Sequence, residues 1–98
     1  MTPPYRLLAT SAFERLYRKL ERKHPDLSAL FAQALAILAS DPLNRTRKFA
    51  IRKLVNIKPG EGQFRLRLGR WRFRYDIAER DVVLQYCGLR REDTYRQE

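Results

Sequence analysis

The apolar positions along this chain change their period part-way. Phe13, Leu16, Tyr17 and Leu20 recur at i, i+3, i+4 and i+7, which is one face of a helix. Arg15, Arg18, Lys19, Arg22 and Lys23 lie between them and mark the wet side. Ser11 and Glu14 stand at capping-box spacing at its start. His24-Pro25 breaks it. A second, broader stripe follows: Leu27, Leu30, Phe31, Ala34, Leu35, Ile37 and Leu38. Asp26 or Ser28 can cap this helix. Ser40-Asp41-Pro42 ends it, because proline disfavours helix in the residue before it. The short break and similar lengths predict an antiparallel helical hairpin. Before it, Tyr5 to Ala9 fit a short first strand.

Asn44 to Lys58 is basic and less regular. Phe49, Ile51, Leu54, Val55 and Ile57 suggest partial burial there, with room for a short strand. Lys58 to Gly62 reads as a loop. From Gln63 the period becomes two. Phe64, Leu66 and Leu68 alternate with Arg65 and Arg67, and after Gly69-Arg70 the residues Trp71, Phe73, Tyr75 and Ile77 alternate with Arg72, Arg74 and Asp76. That pattern predicts a tight hairpin. Glu79-Arg80-Asp81 makes a further turn. Val82 to Cys87 reads as a central strand ended by Gly88, and Leu89 to Glu98 as a polar tail. The fold class is α+β: an N-terminal helical hairpin packed on a largely antiparallel sheet.

Length and charge narrow the possibilities. Ninety-eight residues make one domain, 1–98, with 44% hydrophobic residues to fill a core. Such a short chain buries only about 60 to 65% of its unfolded surface. Lys and Arg number 21 against 11 Asp and Glu, a formal charge of +10. An excess of that size repels itself in the folded state and suits a polyanion or an acidic partner. No stretch approaches the roughly 20 apolar residues that span a bilayer, so no membrane role is expected. Cys87 is the single cysteine, which rules out an intramolecular disulfide and any zinc-binding cysteine cluster. These features predict a soluble protein of the reducing cytoplasm.

The arginine alternation is the strongest chemical signal. With helices on one sheet face, the other is free for Arg65, Arg67, Arg72 and Arg74 to project together. Cross-strand partners lie about 5 Å apart, so like charges there are unfavourable unless an anion or carboxylates separate them. A solvated, aggregation-resistant face would use lysine equally well. Arginine's planar fork suits phosphate better, because it donates two parallel hydrogen bonds. At the chain end, Arg90, Arg91, Tyr95 and Arg96 pair guanidinium with an aromatic ring, a combination suited to RNA or to a charged terminus. His24 reads as a surface turn residue. Cys87, with no histidine partner, reads as packing. Asp76 and Glu79 form no convincing acid/base pair. Metal-dependent and triad chemistries are not indicated, and no cofactor is expected.

The segments RKLVNI, GQFRLRLGRWRFRYDI and VVLQYCGLRREDTYR resemble the RelE/ParE superfamily of toxins from bacterial type II toxin–antitoxin systems. The resemblance spans nearly the whole chain and is strongest in its last third. It implies a β-α-α-β-β-β arrangement and one of two activities. RelE-type members are ribonucleases that cut mRNA, usually on the ribosome, and ParE-type members inhibit DNA gyrase. Matching positions are Arg65, Arg67, Arg72, Arg90 and Tyr95, and they favour the ribonuclease branch. The implied reaction is metal-independent attack of an RNA 2′-hydroxyl on its own 3′-phosphate. Arg72 would stabilise the phosphorane, Arg90 would stabilise charge or donate a proton, and Tyr95 would stack on a base. Lys48, Lys53, Arg74, Arg91 and Arg96 would bind RNA.

One departure stands out. Several family members use lysine, glutamate or histidine as general base where this chain has Arg65 and Arg67, and arginine is a poor base. Either these arginines only orient and polarise RNA, or Lys48 or Lys53 contributes, or the ribosome supplies the geometry. The implied partners are a cognate antitoxin, mRNA and the 70S ribosome, with operator DNA met only through the antitoxin. A gyrase inhibitor and a non-catalytic RNA-binding module remain the rival expectations.

Overall fold

The computed structural model describes residues 4–89. Within them the chain runs β1 (Arg6–Ala9), α1 (Ser11–Lys23), α2 (Leu27–Ser40), β2 (Ile51–Lys53), β3 (Phe64–Leu68), β4 (Trp71–Ala78) and β5 (Asp81–Leu89). This is the expected α+β class. The five strands lie in the order β1-β5-β4-β3-β2. β1 pairs with β5 in parallel, and the remaining neighbours are antiparallel. The β-α-α-β-β-β arrangement is therefore one strand short. Ile51–Lys53 is a strand in its own right, only three residues long, too short for a period to declare itself.

β1 and β2 form the two edges of the sheet. The helices occupy the connection between them, and their apolar sides pack on one sheet face. Phe13, Leu27, Ala34 and Leu38 meet Leu66, Trp71, Phe73, Tyr75, Val82, Leu84 and Cys87 in a single buried cluster. Phe13 and Tyr17 of α1 lie against Phe31 of α2, whose ring stacks on Phe73 at 5.9 Å. These contacts fasten the helical hairpin to β4. Tyr75 is fully buried, and its hydroxyl donates to the Pro42 carbonyl at 2.7 Å. That bond satisfies a polar group the core would otherwise strand. Burial also drives the Tyr75 phenol well above its ordinary range.

Several boundaries differ from the expectation. The cap of α1 is Thr10, whose Oγ1 accepts the Phe13 amide at 3.0 Å. Ser11 is already helical, so the Ser11–Glu14 capping box does not form, and Phe13 at the third helical position has no side chain to reciprocate the Thr10 cap. Asp26 sits at the N-cap of α2 without a side-chain cap bond. Ser28 Oγ donates instead to the Pro25 carbonyl at 3.4 Å. Val55 is 81% exposed rather than partly buried. His24 is half-buried and packs edge-on to the Trp71 ring at 5.2 Å. It closes the core beneath the helix–helix turn, which is more than a surface turn residue does. Gly88 does not end β5, which runs on to Leu89.

Candidate nucleic-acid interface

Strand register builds the site. In the β3–β4 hairpin, Arg65 is the partner of Arg74 and Arg67 the partner of Arg72. β2 extends the first row, because Arg52 is the partner of Arg65. On β5 the partners are Tyr86 for Arg74 and Gly88 for Arg72. Two rows thus cross the sheet face away from the helices: Arg52–Arg65–Arg74–Tyr86 and Arg67–Arg72–Gly88. The four arginines expected to project together do so. Arg52 and Tyr86 join them, and neither was legible as a site residue.

Tyr86 reaches this face because of a bulge. Tyr75 pairs with Leu84 while Arg74 pairs with Tyr86, which leaves Gln85 as an extra residue in β5. A bulge of this kind shifts which residues point to which face. Strict alternation from Val82 and Leu84 would have put Tyr86 in the core. Instead Cys87 takes the core position, where burial pushes its thiol up to about 12. Its thiolate is disfavoured, consistent with packing rather than nucleophilic chemistry.

The arginines are not equally exposed. Arg72 is only 7% exposed, and Arg65, Arg67 and Arg74 are half-buried. The face is therefore less open than a free sheet surface. A loop from Lys58 to Gln63 folds over one end of it, held by Asp76. The Asp76 carboxylate, 7% exposed, accepts the amides of Gly60 at 2.9 Å, Gly62 at 3.1 Å and Gln63 at 3.0 Å. Gln85 Nε2 adds a fourth donor at 3.0 Å. Arg74 Nε donates to the Gly62 carbonyl at 3.2 Å. A Cβ on Gly62 would meet Arg74 Cβ at 2.8 Å, and Gly62 takes a φ of +85°. Only glycine suits both demands. Asp76 is thus an anchor for the loop, and the acid/base role is closed to it.

Between β2 and β3 lies a shallow depression of about 250 Å³ lined by Ala50, Ile51, Arg52, Arg65 and Arg67. It is polar, open and flanked by three guanidinium groups, dimensions that admit a phosphate. A second basic surface lies along α1. Arg15, Arg18, Lys19 and Arg22 line an open groove of about 500 Å³ there. It belongs to the helix, away from the arginine rows.

The lysines divide. Lys48 is exposed on the loop before β2. Lys53 is the partner of Phe64, and its Nζ lies 5.7 Å from the centre of that ring. Phe64 in turn stacks on the buried Tyr75. Lys53 therefore belongs to the helix-covered face and does not join the arginine rows. The parity of β2 decides this, placing Arg52 on one side and Lys53 on the other. Arg90, Arg91, Tyr95 and Arg96 lie outside the described residues. Among those described, no three His, Cys, Asp or Glu side chains gather to hold a metal ion. No described helix is long and apolar enough to cross a membrane.

With this geometry established, the chain was compared with known proteins. No family model, curated protein or solved structure matches it.

Proposed function

We propose that this protein is a RelE-like toxin of a type II toxin–antitoxin system: a cytoplasmic, metal-independent endoribonuclease that cuts mRNA on the ribosome. The observation that carries the reading is the pair of cross-strand arginine partners, Arg65–Arg74 and Arg67–Arg72, on the face opposite the helices. The two pairs concentrate positive charge on one sheet face. A phosphodiester backbone is an anion long enough to span both rows. The motif resemblance of the hairpin to RelE/ParE toxins points the same way.

In this reading Arg65, Arg67 and Arg52 draw the RNA backbone across the sheet. Arg72 is nearly buried and so held in a narrow range of positions. It stabilises the charge that develops on the phosphorane as the 2′-oxygen attacks. Preorganised donors aimed at developing charge are the largest catalytic contribution available to such a site. Arg90 keeps the charge-stabilising role that the resemblance implies, and Tyr95 the stacking role. Lys53 is not part of the site. The cognate antitoxin would mask the arginine face with an acidic or amphipathic segment and would carry any operator binding.

Expression of the wild type and of Arg72→Ala in bacteria, with mapping of mRNA 5′ ends and a parallel gyrase assay, tests this reading. Codon-phased ends that vanish in the variant support it. Intact mRNA with inhibited gyrase overturns it in favour of a ParE-like inhibitor. RNA binding without either effect leaves a non-catalytic module.

A further inference from the structure

The ribonuclease reading leaves a proton-transfer group unassigned, and the arginine face holds one. We propose that Tyr86 is the general acid that protonates the leaving 5′-oxygen. The inference rests on the ribonuclease reading and extends it.

The geometry points to Tyr86 in three steps. The bulge at Gln85 turns Tyr86 onto the arginine face, as the partner of Arg74. Its ring then lies along the strand over Gly88. A Cβ at position 88 would collide with the Tyr86 hydroxyl and meet its Cζ at 2.8 Å and Cε2 at 3.1 Å. Gly88 is therefore glycine for space, since every other residue would claim the volume the phenol occupies. Finally, Gly88 is the partner of Arg72, itself the partner of Arg67. The phenol oxygen thus sits at the end of the Arg67–Arg72 row, beside the guanidinium assigned to the phosphorane.

Chemistry singles out the same residue. Guanidinium groups do not release protons near neutral pH. Asp76 is saturated by Gly60, Gly62, Gln63 and Gln85. The Gln85 amide transfers no proton. Among the described residues of the two rows and their neighbours, the phenol is what remains. A phenol carries an O–H that it can donate, which suits an acid better than a base.

The RNA 2′-oxygen bonds to phosphorus and releases its proton to water. The bond from phosphorus to the 5′-oxygen breaks, and that oxygen takes the Tyr86 proton. The products are a 2′,3′-cyclic phosphate and a 5′-hydroxyl. The phenolate left beside Arg72 regains its proton from water.

The test compares wild type with Tyr86→Phe on an RNA whose scissile linkage carries either the normal 5′-oxygen or a 5′-sulfur. A thiolate leaves without protonation, so it needs no acid. Each RNA is presented free and on purified 70S ribosomes. Tyr86→Phe should slow cleavage of the oxygen linkage about 100-fold or more, while cutting the sulfur linkage within a few-fold of wild type. Gly88→Ala, which displaces the ring and keeps the hydroxyl, should show the same linkage-dependent defect. Equal losses on both linkages, or an undiminished rate on the oxygen linkage, would overturn the assignment. If the wild type cuts neither RNA in either form, the ribonuclease reading itself fails, which is a separate outcome.

Discussion

Arg67 and Arg72 are direct cross-strand partners in the β3–β4 hairpin, two cations facing each other on adjacent strands. Like charges in that position are destabilising in a sheet. Arg67→Thr should therefore raise the unfolding free energy slightly in urea denaturation while weakening RNA binding. In single-stranded RNA titrations at several salt concentrations, the slope of log affinity against log salt should shrink by about 0.7 for each phosphate contact removed. Destabilisation on removing Arg67, with an unchanged salt slope, would make it a structural residue.

The Asp76 anchor gives a second prediction. Asp76→Asn keeps the size but removes the charge and turns an amide donor toward backbone donors. Hydrogen bonds to charged groups contribute about 1.5–3 kcal/mol each to stability, and stranded buried donors add to the loss. Unfolding free energy should fall by about 2 kcal/mol or more on that basis. Amide exchange at Gly60, Gly62 and Gln63 should accelerate well beyond that of β4. Unchanged exchange at those three amides would contradict the anchoring role.

Tyr75 supports the site from beneath. Its hydroxyl holds the Pro42 carbonyl, and so ties the end of the helical hairpin to the middle of β4. Tyr75→Phe leaves that buried carbonyl without its donor and should cost about 1–3 kcal/mol in chemical denaturation. The ring still fills its place, so the RNA-binding slope should be preserved.

Alkaline stability follows from the same core. Burial raises the Cys87 thiol to about 12 and the Tyr75 phenol further. Both groups are neutral in the folded and unfolded chain below their ordinary values, so folding stability there is independent of their titration. Above pH about 9 the unfolded chain ionises first, and stability falls as pH rises toward 12, by up to about 1.4 kcal/mol per pH unit for each group. Cys87→Ala should flatten the early part of that decline in pH-dependent denaturation curves. In the native protein near neutral pH, Cys87 should resist thiol reagents until denaturant is added.

The sequence showed the hairpin and its arginines because their alternation is strict on both sides of Gly69-Arg70, from Phe64 to Leu68 and from Trp71 to Ile77. Helix stripes as regular as Phe13-Leu16-Tyr17-Leu20 were equally plain. What stayed hidden depended on register. Tyr86 lies on the arginine face only because Gln85 bulges out, and a bulge leaves no mark in a run as apolar as Val82 to Cys87. Arg52 and Lys53 are chemically similar neighbours, and only the pairing of a three-residue strand sends one to each face. The anchoring role of Asp76 did not show in the sequence because its donors are backbone amides 13–16 residues earlier. Sequence spacing cannot foresee a loop folding back over that distance.

The most direct test of the arginine-row account compares two charge removals of equal size. Arg65→Gln with Arg67→Gln takes two charges from the sheet face, and Arg15→Gln with Arg18→Gln takes two from the α1 groove. Cleavage of a reporter mRNA is then followed on purified 70S ribosomes, with circular dichroism confirming that both variants are folded. The account predicts a loss of about 100-fold or more for the sheet variant, the scale expected when preorganised charge stabilisation is removed, and a change of no more than a few-fold for the α1 variant. Equal losses in the two variants, or a larger loss from α1, would contradict it.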